Sequence, residues 1–151
     1  MPVPLYDAHN HLHDEWLTPH WAKIATQLPA LGLRGAVVNG THESDWPRVT
    51  ELSLQYVWIV PSFGLHPWHV GNRSSDWSER LAAALERTPA ACIGEIGLDR
   101  WILDRARPDD PRLVGLRRAS LEEQLDVFLA QLALAAAGNR PATIHCLDAW
   151  G

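Results

Sequence analysis

The sequence predicts an α/β protein of the (β/α)8 TIM-barrel class, truncated to about the first five β/α units. Three observations support this prediction. Short apolar runs alternate with amphipathic segments, as in a parallel sheet covered by helices. Histidine and carboxylate residues follow several of the apolar runs. The chain has 151 residues, whereas a complete barrel needs roughly 250.

The length of the chain predicts a single domain over residues 1–151, an incomplete TIM barrel. The chain has a net charge of −5 and is 46% hydrophobic, as is ordinary for a globular protein. Its acidity argues against a broad basic surface for nucleic acid, but not against an enzyme that meets phosphate through a bound metal. Cys92 and Cys146 lie far apart and form no C-x-x-C pair, so neither a disulfide framework nor a cysteine-rich zinc module is expected.

No signal peptide or membrane segment is predicted. Residues 1–7 lack a basic stretch and an apolar segment. The longest apolar runs, such as residues 132–137, are too short to cross a bilayer. We therefore expect a cytoplasmic protein that does not bind a membrane.

In the first half of the chain, three strands are followed by helices. Thr18 is the expected N-cap of the first helix, with Pro19 at its first position. Ser44 or Asp45 caps the second helix, and β-branched and aromatic residues mark the third strand. The predicted strands cover residues 5–9, 35–38 and 56–62, and the predicted helices cover residues 19–31, 45–55 and 76–87.

The second half contains two further strands, at residues 91–95 and 142–146, with a polar loop predicted at 98–111. The helix between them has the clearest signal, because Ser120 and Glu123 form the pattern of a capping box. This helix is expected to end near Gly138. Its apolar residues recur at helical spacing; they are Leu121, Leu125, Phe128, Leu129 and Leu132.

The first strand carries a candidate metal-binding motif. Asp7, His9 and His11 alternate along it, so their side chains are expected on one face. Two imidazoles spaced in this way can hold one divalent cation, and an adjacent carboxylate can orient a ring. The alternative interpretation is a polar loop with unrelated histidines.

Three more candidates follow later strands. Glu95 ends an apolar strand, where a carboxylate is costly to bury unless it is paired or bound to a metal; a helix cap or an arginine salt bridge is the alternative. His145 ends the last strand, and a structural histidine is the alternative there. His66 precedes Pro67 in an extended turn after the third strand, which is otherwise an ordinary surface turn.

The distribution of these candidates favours a barrel over an open doubly wound sheet. In a barrel, the carboxyl ends of all strands converge on one mouth, where active sites lie. Ligands from separate strands then meet around metal ions, whereas an open sheet would spread them along a line.

Four segments of the sequence resemble the signature segments of the TatD-related metal-dependent hydrolases, in the same order. The resemblance runs from about Asp7 to the end of the chain, and Gly-Glu-Ile-Gly-Leu-Asp at 94–99 is its most specific part. The helix that carries Gln124 and Gln131 also resembles the family. The other three segments are residues 7–11, residues 63–67 and residues 141–146.

The resemblance implies a fold of the metal-dependent hydrolase type and a deoxyribonuclease that cleaves phosphodiester bonds with a water activated by two metal ions. Carried over by motif, His9 and His11 hold one ion, Glu95 lies between the two ions, and His145 holds the second. His66 is a catalytic residue that lies near the scissile phosphate and contacts substrate. Asp7 supports the ligands from outside the coordination sphere, and Trp68 is a further substrate contact.

The expected cofactors are therefore two divalent ions, with Mg²⁺, Zn²⁺ or Mn²⁺ as candidates. The resemblance favours Mg²⁺, whereas a mixed set of imidazoles and a carboxylate suits Zn²⁺ or Mn²⁺. Lys23 is the only lysine and lies in the first predicted helix, so a carbamylated lysine on the fourth strand is not available as a bridge.

Metal ligands do not specify a substrate, and the sequence covers only the first part of the predicted barrel, so other functions stay open. Family members continue for roughly another hundred residues and carry there a further histidine ligand and a late aspartate. The open edges of the partial barrel predict self-association. DNA is the expected substrate. Alternatives are an amide, ester or lactone hydrolase on the same barrel, and a non-catalytic remnant or split-barrel partner.

Arginines cluster after Glu95 and could hold phosphates or form ion pairs with interleaved aspartates. The cluster consists of Arg100, Arg105, Arg107, Arg112, Arg117 and Arg118.

Overall fold

A computed structural model describes residues 3–150 of the chain. Its sheet has five parallel strands that lie side by side in the order in which they occur along the chain. An open doubly wound sheet reverses its strand order at a switch point, whereas a barrel adds each strand beside the previous one. The predicted partial barrel is confirmed. The strands are β1 (Leu5–Asn10), β2 (Leu33–Asn39), β3 (Ile59–Phe63), β4 (Cys92–Asp99) and β5 (Ala142–Leu147).

Helices connect successive strands, and several predicted boundaries were wrong. The Leu17 N–H donates to the Asp14 carbonyl, which starts a 3-10 helix before Thr18 and places both Thr18 and Pro19 inside it. The Tyr56 N–H donates to the Leu52 carbonyl, so residue 56 ends the second helix. Strand β3 therefore begins at Ile59, three residues later than predicted. Residues 98–111 were predicted to form a loop, but residues 98 and 99 belong to β4 and residues 101–104 form a one-turn helix. The helices are α1 (Trp21–Ala30), α2 (Trp46–Gln55), α3 (Trp77–Arg87), α4 (Trp101–Asp104) and α5 (Leu121–Ala137).

The main core lies between the sheet and the helices that cover its outer face. Strand and helix residues of this core pack in one cluster and are shielded from solvent, which provides most of the favourable free energy of folding. No helix within residues 3–150 combines the length and the apolar character that crossing a membrane requires. The most deeply buried members of the core include Val38, Val49, Leu52, Phe63, Leu81, Ile93 and Ile96.

Helix α5 has the predicted capping box, in which Ser120 accepts from the Glu123 N–H and the Glu123 carboxylate accepts from the Ser120 N–H. The predicted apolar face does not pack uniformly against the sheet. Leu121, Leu125 and Leu129 of that face are exposed, because no element within residues 3–150 covers them.

Two glutamines lie on the buried side of α5 instead. Gln131 accepts from the Leu65 N–H (2.7 Å) and donates to the Leu65 carbonyl (3.2 Å). Gln124 makes the same paired contact with the backbone of Asp99, at 2.8 and 3.2 Å. Both side chains are inaccessible to solvent. They supply hydrogen-bond partners for backbone groups of the loop after β3 and of the last residue of β4.

The outer strands β1 and β5 have only one neighbour each within the described residues. Apolar side chains on these strands remain in solvent; Tyr6 is 75% exposed and Ile144 is 56% exposed. An exposed strand edge of this kind can pair with another chain.

We predict that Gln131→Ala lowers the free energy of unfolding by about 2–4 kcal/mol, because it leaves the buried Leu65 N–H without an acceptor and opens a small cavity. Urea unfolding followed by circular dichroism measures this change. Gln55→Ala is the matched control, since the Gln55 amide bonds Glu51 at the surface of α2, and it should change the free energy by less than about 0.5 kcal/mol. Equal losses in the two variants would contradict the bracing role of Gln131.

Candidate metal centre

The carboxyl ends of β1, β3, β4 and β5 open on one cleft of about 400 Å³. Parallel strands end at the same edge of a sheet, so side chains that are distant in sequence converge there. The cleft brings together all five residues that the sequence predicts as metal ligands or catalytic groups. Its lining consists of His9, His11, Asp14, Thr41, His66, Trp68, His69, Glu95 and His145.

Glu95 lies at the centre of this cleft and is only 7% exposed. Its Oε2 is 3.2 Å from His9 Nε2 and 3.3 Å from His11 Nε2. Its Oε1 is 2.8 Å from His145 Nδ1 and 3.8 Å from His66 Nε2. One carboxylate therefore presents each of its oxygens to a different pair of imidazoles, and each pair with Glu95 forms a group of donors within 4.8 Å of one another.

The charges in the cleft are balanced by these contacts. Burial raises the pKa of Glu95, but the hydrogen bonds with His11 and His145 outweigh it and hold that pKa well below the ordinary range. Burial lowers the pKa of His145, but its hydrogen bonds with Asp99 and Glu95 raise it to about 9. Without a metal ion, a carboxylate and an imidazolium thus stabilise one another in this cleft.

Hydrogen bonds on the far side of two rings determine which nitrogen carries a proton. His11 Nδ1 lies 2.9 Å from the Asn39 carbonyl and must donate to it, so Nε2 is the nitrogen that a neutral ring would offer to a metal ion. Without an ion, a hydrogen on Nε2 donates to Glu95, and this bond raises the pKa of His11. His66 Nδ1 accepts from the Trp68 N–H at 3.2 Å, so Nε2 carries the proton of this neutral ring. Burial and the neighbouring His145 lower the pKa of His66 to about 3, which keeps the ring neutral.

The backbones of the neighbouring strands β4 and β5 approach each other closely, which brings His145 toward Glu95. Gly97 has a φ of +145°, a conformation that L side chains rarely adopt. A Cβ at this position would overlap the His145 carbonyl. Glycine at 97 therefore permits the approach that places the imidazole between two carboxylates of β4.

The two remaining predicted residues lie at the edge of this arrangement. Asp7 accepts from the His9 N–H (3.0 Å) and from the Asn10 side chain (3.1 Å), so it holds the end of β1. Trp68 lines the cleft and donates from Nε1 to Asp99 at 2.6 Å. The roles assigned to Asp7 and Trp68 stay predictions.

Asp99 was missed by the sequence analysis, although it contacts His145 Nε2 at 3.0 Å. The available signal was its spacing from Glu95, since residues 95, 97 and 99 alternate along one strand. Assigning residues 98–111 to a loop removed that argument.

The arginine cluster forms ion pairs rather than a free basic surface, as one of the two interpretations expected. Arg107 pairs with Asp109 at 3.0 Å and Arg112 with Asp110 at 2.7 Å. Arg112 also lies over the ring of Trp101. Neighbouring acidic groups therefore offset several of the positive charges that could have met phosphate.

The rim of the cleft is held by a partly buried carboxylate, that of Asp45, which immediately precedes α2. Its Oδ2 accepts from the Thr41 N–H (2.8 Å) and hydroxyl (2.9 Å) and lies 3.2 Å from His13 Nε2. Burial raises the pKa of Asp45, but the bonds with His13 and Thr41 outweigh burial and lower it. Asp45 therefore fixes the loop that carries Thr41 and His42 at the cleft.

The fold and the donor groups define a class: part of a parallel β/α barrel with a histidine and glutamate cluster at the carboxyl ends of its strands. The family model of the TatD related DNases matches residues 6–151. The chain belongs to this family.

Individual relatives agree with that membership. The chain is 28% identical over 130 residues to the 3'-5' ssDNA/RNA exonuclease TatD of Pantoea ananatis, a match covering 84% of this chain and 44% of that protein. It is 31% identical over 134 residues to the same exonuclease of Erwinia amylovora, with the same coverage. The crystal structure of YJJV, a TatD homolog of Escherichia coli K12, superposes with a TM-score of 0.75 at 28% identity and covers 95% of this chain and 51% of its own. The chain spans about half the length of the relatives it matches.

We predict that Asp45→Asn lowers the free energy of unfolding at pH 7 by about 1–3 kcal/mol, because an amide cannot replace a charged acceptor of several donors. A lowered folded-state pKa gives stability that is present above the ordinary value of 3.8 and is lost as the pH falls through the folded value. The difference from wild type should therefore shrink as the pH falls below 3.8.

Urea unfolding at a series of pH values measures this dependence. Asp109→Asn is the control, because Asp109 pairs with Arg107 at the surface, and it should change stability by less than about 0.5 kcal/mol. A difference between wild type and Asp45→Asn that is the same at pH 7 and pH 3 would contradict the assignment.

Proposed function

We propose that the chain provides the metal centre of a nuclease that cleaves phosphodiester bonds of single-stranded nucleic acid, with DNA as the expected substrate. One observation supports this most strongly: Glu95 directs its two oxygens to two separate pairs of imidazoles. A carboxylate placed in this way is suited to lie between two cations. The named activity of the bacterial relatives is the second line of support.

The residues of the cleft fit a pair of divalent ions. His9 and His11 would hold one ion with Glu95, and His145 would hold the other with the second oxygen of Glu95. Nitrogen and carboxylate donors together suit Zn²⁺ or Mn²⁺ and also permit Mg²⁺ with further water ligands. Bound divalent ions would activate water and offset the negative charge that develops on a phosphodiester.

His66 is proposed to contact the substrate rather than an ion. The Trp68 N–H directs its hydrogen to Nδ1, so Nε2 carries a proton and offers a donor instead of a lone pair. A neutral N–H donor in a metal-lined cleft is suited to a phosphate oxygen. Trp68 beside it offers an aromatic face on which a base could stack, and Asp7 keeps the end of β1, with His9, in place.

We predict that the chain shortens a 5′-labelled single-stranded DNA oligonucleotide in the presence of Mg²⁺ or Mn²⁺, and that a chelator stops the reaction. Glu95→Gln should reduce the rate at least about 100-fold, because the neutral amide removes several kcal/mol of charge stabilisation. Denaturing gel electrophoresis of timed samples measures the rate.

Glu86→Gln is the matched control, because Glu86 is exposed on α3, and it should leave the rate unchanged. Degradation that persists in chelator, or an equal rate in Glu95→Gln, would contradict the proposal. An inactive wild-type chain would also contradict it for these 151 residues. An ester or amide substrate hydrolysed in place of DNA would favour the other hydrolase reaction on the same barrel.

We further infer that the chain associates with a second copy through its open edges. Within residues 3–150, each copy offers an unpaired β1 edge and an unpaired β5 edge, and exposed leucines lie on α5, the helix that precedes β5. Because the sheet is parallel, β1 of one copy can continue the sheet of its partner next to β5 in the same sense. Burial of Tyr6, Ile144 and Leu129 would then favour association.

We expect wild type to sediment as a dimer or larger species and Leu129→Lys to shift it toward monomer. Leu54→Lys is the control, because Leu54 is also exposed but lies on α2, away from both edges. Analytical ultracentrifugation over a range of concentrations measures the distribution. A wild-type chain that stays monomeric throughout would contradict this inference.

A further inference from the structure

Asp99 stands at the carboxyl end of β4, four residues after Glu95, and is inaccessible to solvent. Residues 95 and 99 face the same side of the strand, and Gly97 between them has no side chain. The Glu95 and Asp99 carboxylates therefore both reach the His145 ring on the adjacent strand. They bind opposite nitrogens of that ring, at 2.8 Å on Nδ1 and 3.0 Å on Nε2.

The partners of Asp99 fix its charge and its direction. Oδ1 accepts from the Ile102 N–H at 2.9 Å, and Oδ2 accepts from Trp68 Nε1 at 2.6 Å. A backbone N–H and an indole N–H can only donate, so the Asp99 side chain must act as an acceptor. His145 Nε2, which shares Oδ2 with Trp68, then has to carry a hydrogen.

We propose that Asp99 is a positioning residue that holds His145 with its hydrogen on Nε2 and thereby turns Nδ1 toward the metal position beside Glu95. This inference rests on the proposed metal centre. A carboxylate behind a histidine ligand fixes the orientation of the ring and strengthens its remaining nitrogen as a donor. Asp99 touches neither ion nor substrate in this arrangement and acts through His145.

A purely structural role accounts for less of the geometry. Capping the one-turn helix α4 uses Oδ1 and the Ile102 N–H alone. Oδ2 is directed toward the cleft, where it accepts from His145, a predicted metal ligand, and from Trp68 in the cleft wall. The Trp68 ring also stacks on Trp101, so this wall is held in place from both sides.

Asp99→Asn separates the two roles because it preserves the size of the side chain. The amide oxygen still accepts from Ile102, but the amide nitrogen then faces the N–H groups of Trp68 and His145. His145 relieves this conflict by accepting at Nε2 and carrying its hydrogen on Nδ1. A protonated Nδ1 is no longer a metal ligand.

The test is a titration of the metal-free 151-residue chain with Zn²⁺, followed by calorimetry. Asp99→Asn should weaken the site that includes His145 by about 10- to 100-fold and leave the site of His9 and His11 unchanged. Asp109→Asn is the matched control, because it makes the same substitution in a surface ion pair with Arg107, away from the cleft. Its zinc affinities should equal those of wild type.

A second measurement does not depend on how the variant folds. Long-range 15N–1H correlation spectra of the zinc-loaded wild-type chain should show His145 with a hydrogen on Nε2 and zinc on Nδ1. The reverse pattern would overturn the positioning role.

The outcomes separate this inference from the proposed function. A wild-type chain that retains no Zn²⁺ would overturn the metal centre, and the role of Asp99 with it. Two occupied sites in wild type with equal affinities in Asp99→Asn would overturn the role of Asp99 alone.

Discussion

The burial of the Glu95 carboxylate is the constraint on which the rest of the structure depends. An ionised carboxylate that loses its hydration needs opposite charge or hydrogen bonds in exchange. Imidazoles from β1, β5 and the connection after β3 supply them. These rings meet at Glu95 because the five strands are parallel and end at one edge. The parallel arrangement of the strands therefore also brings together the groups that balance the charge of Glu95.

Helix α5 holds this arrangement from behind. Gln131 binds both backbone groups of Leu65, the residue immediately before His66. Gln124 binds the backbone of Asp99, whose side chain reaches His145. Two neutral amides thus fix two walls of the cleft without adding charge to a region where a carboxylate and several histidines already have to balance.

The periodicity of the sequence predicted the strands and the main helices, and strand alternation brought His9, His11, Glu95 and His145 together. Local patterns did not predict features that depend on tertiary contacts. Asp99 was hidden by a loop assignment, because polar residues and prolines after residue 99 resemble a connection. The leucines of α5 identified a helix correctly, but apolar spacing cannot show whether a neighbouring element is present to cover them. Polar residues at 124 and 131 likewise carry no sequence signal of burial.

The order of the strands also has a consequence for synthesis of the chain. Each strand pairs with the one made just before it, so every new β/α unit can dock on a sheet that has already left the ribosome. Pairing between consecutive strands keeps the separations in sequence shorter than pairing between distant strands would, and domains generally fold from the N-terminus during translation. His9 and His11, at the end of β1 and just after it, are made first, Glu95 later, and His145 last of all. The cleft therefore gains its charge balance only when β5 arrives, and a nascent chain interrupted before residue 145 would hold Glu95 without its nearest imidazole.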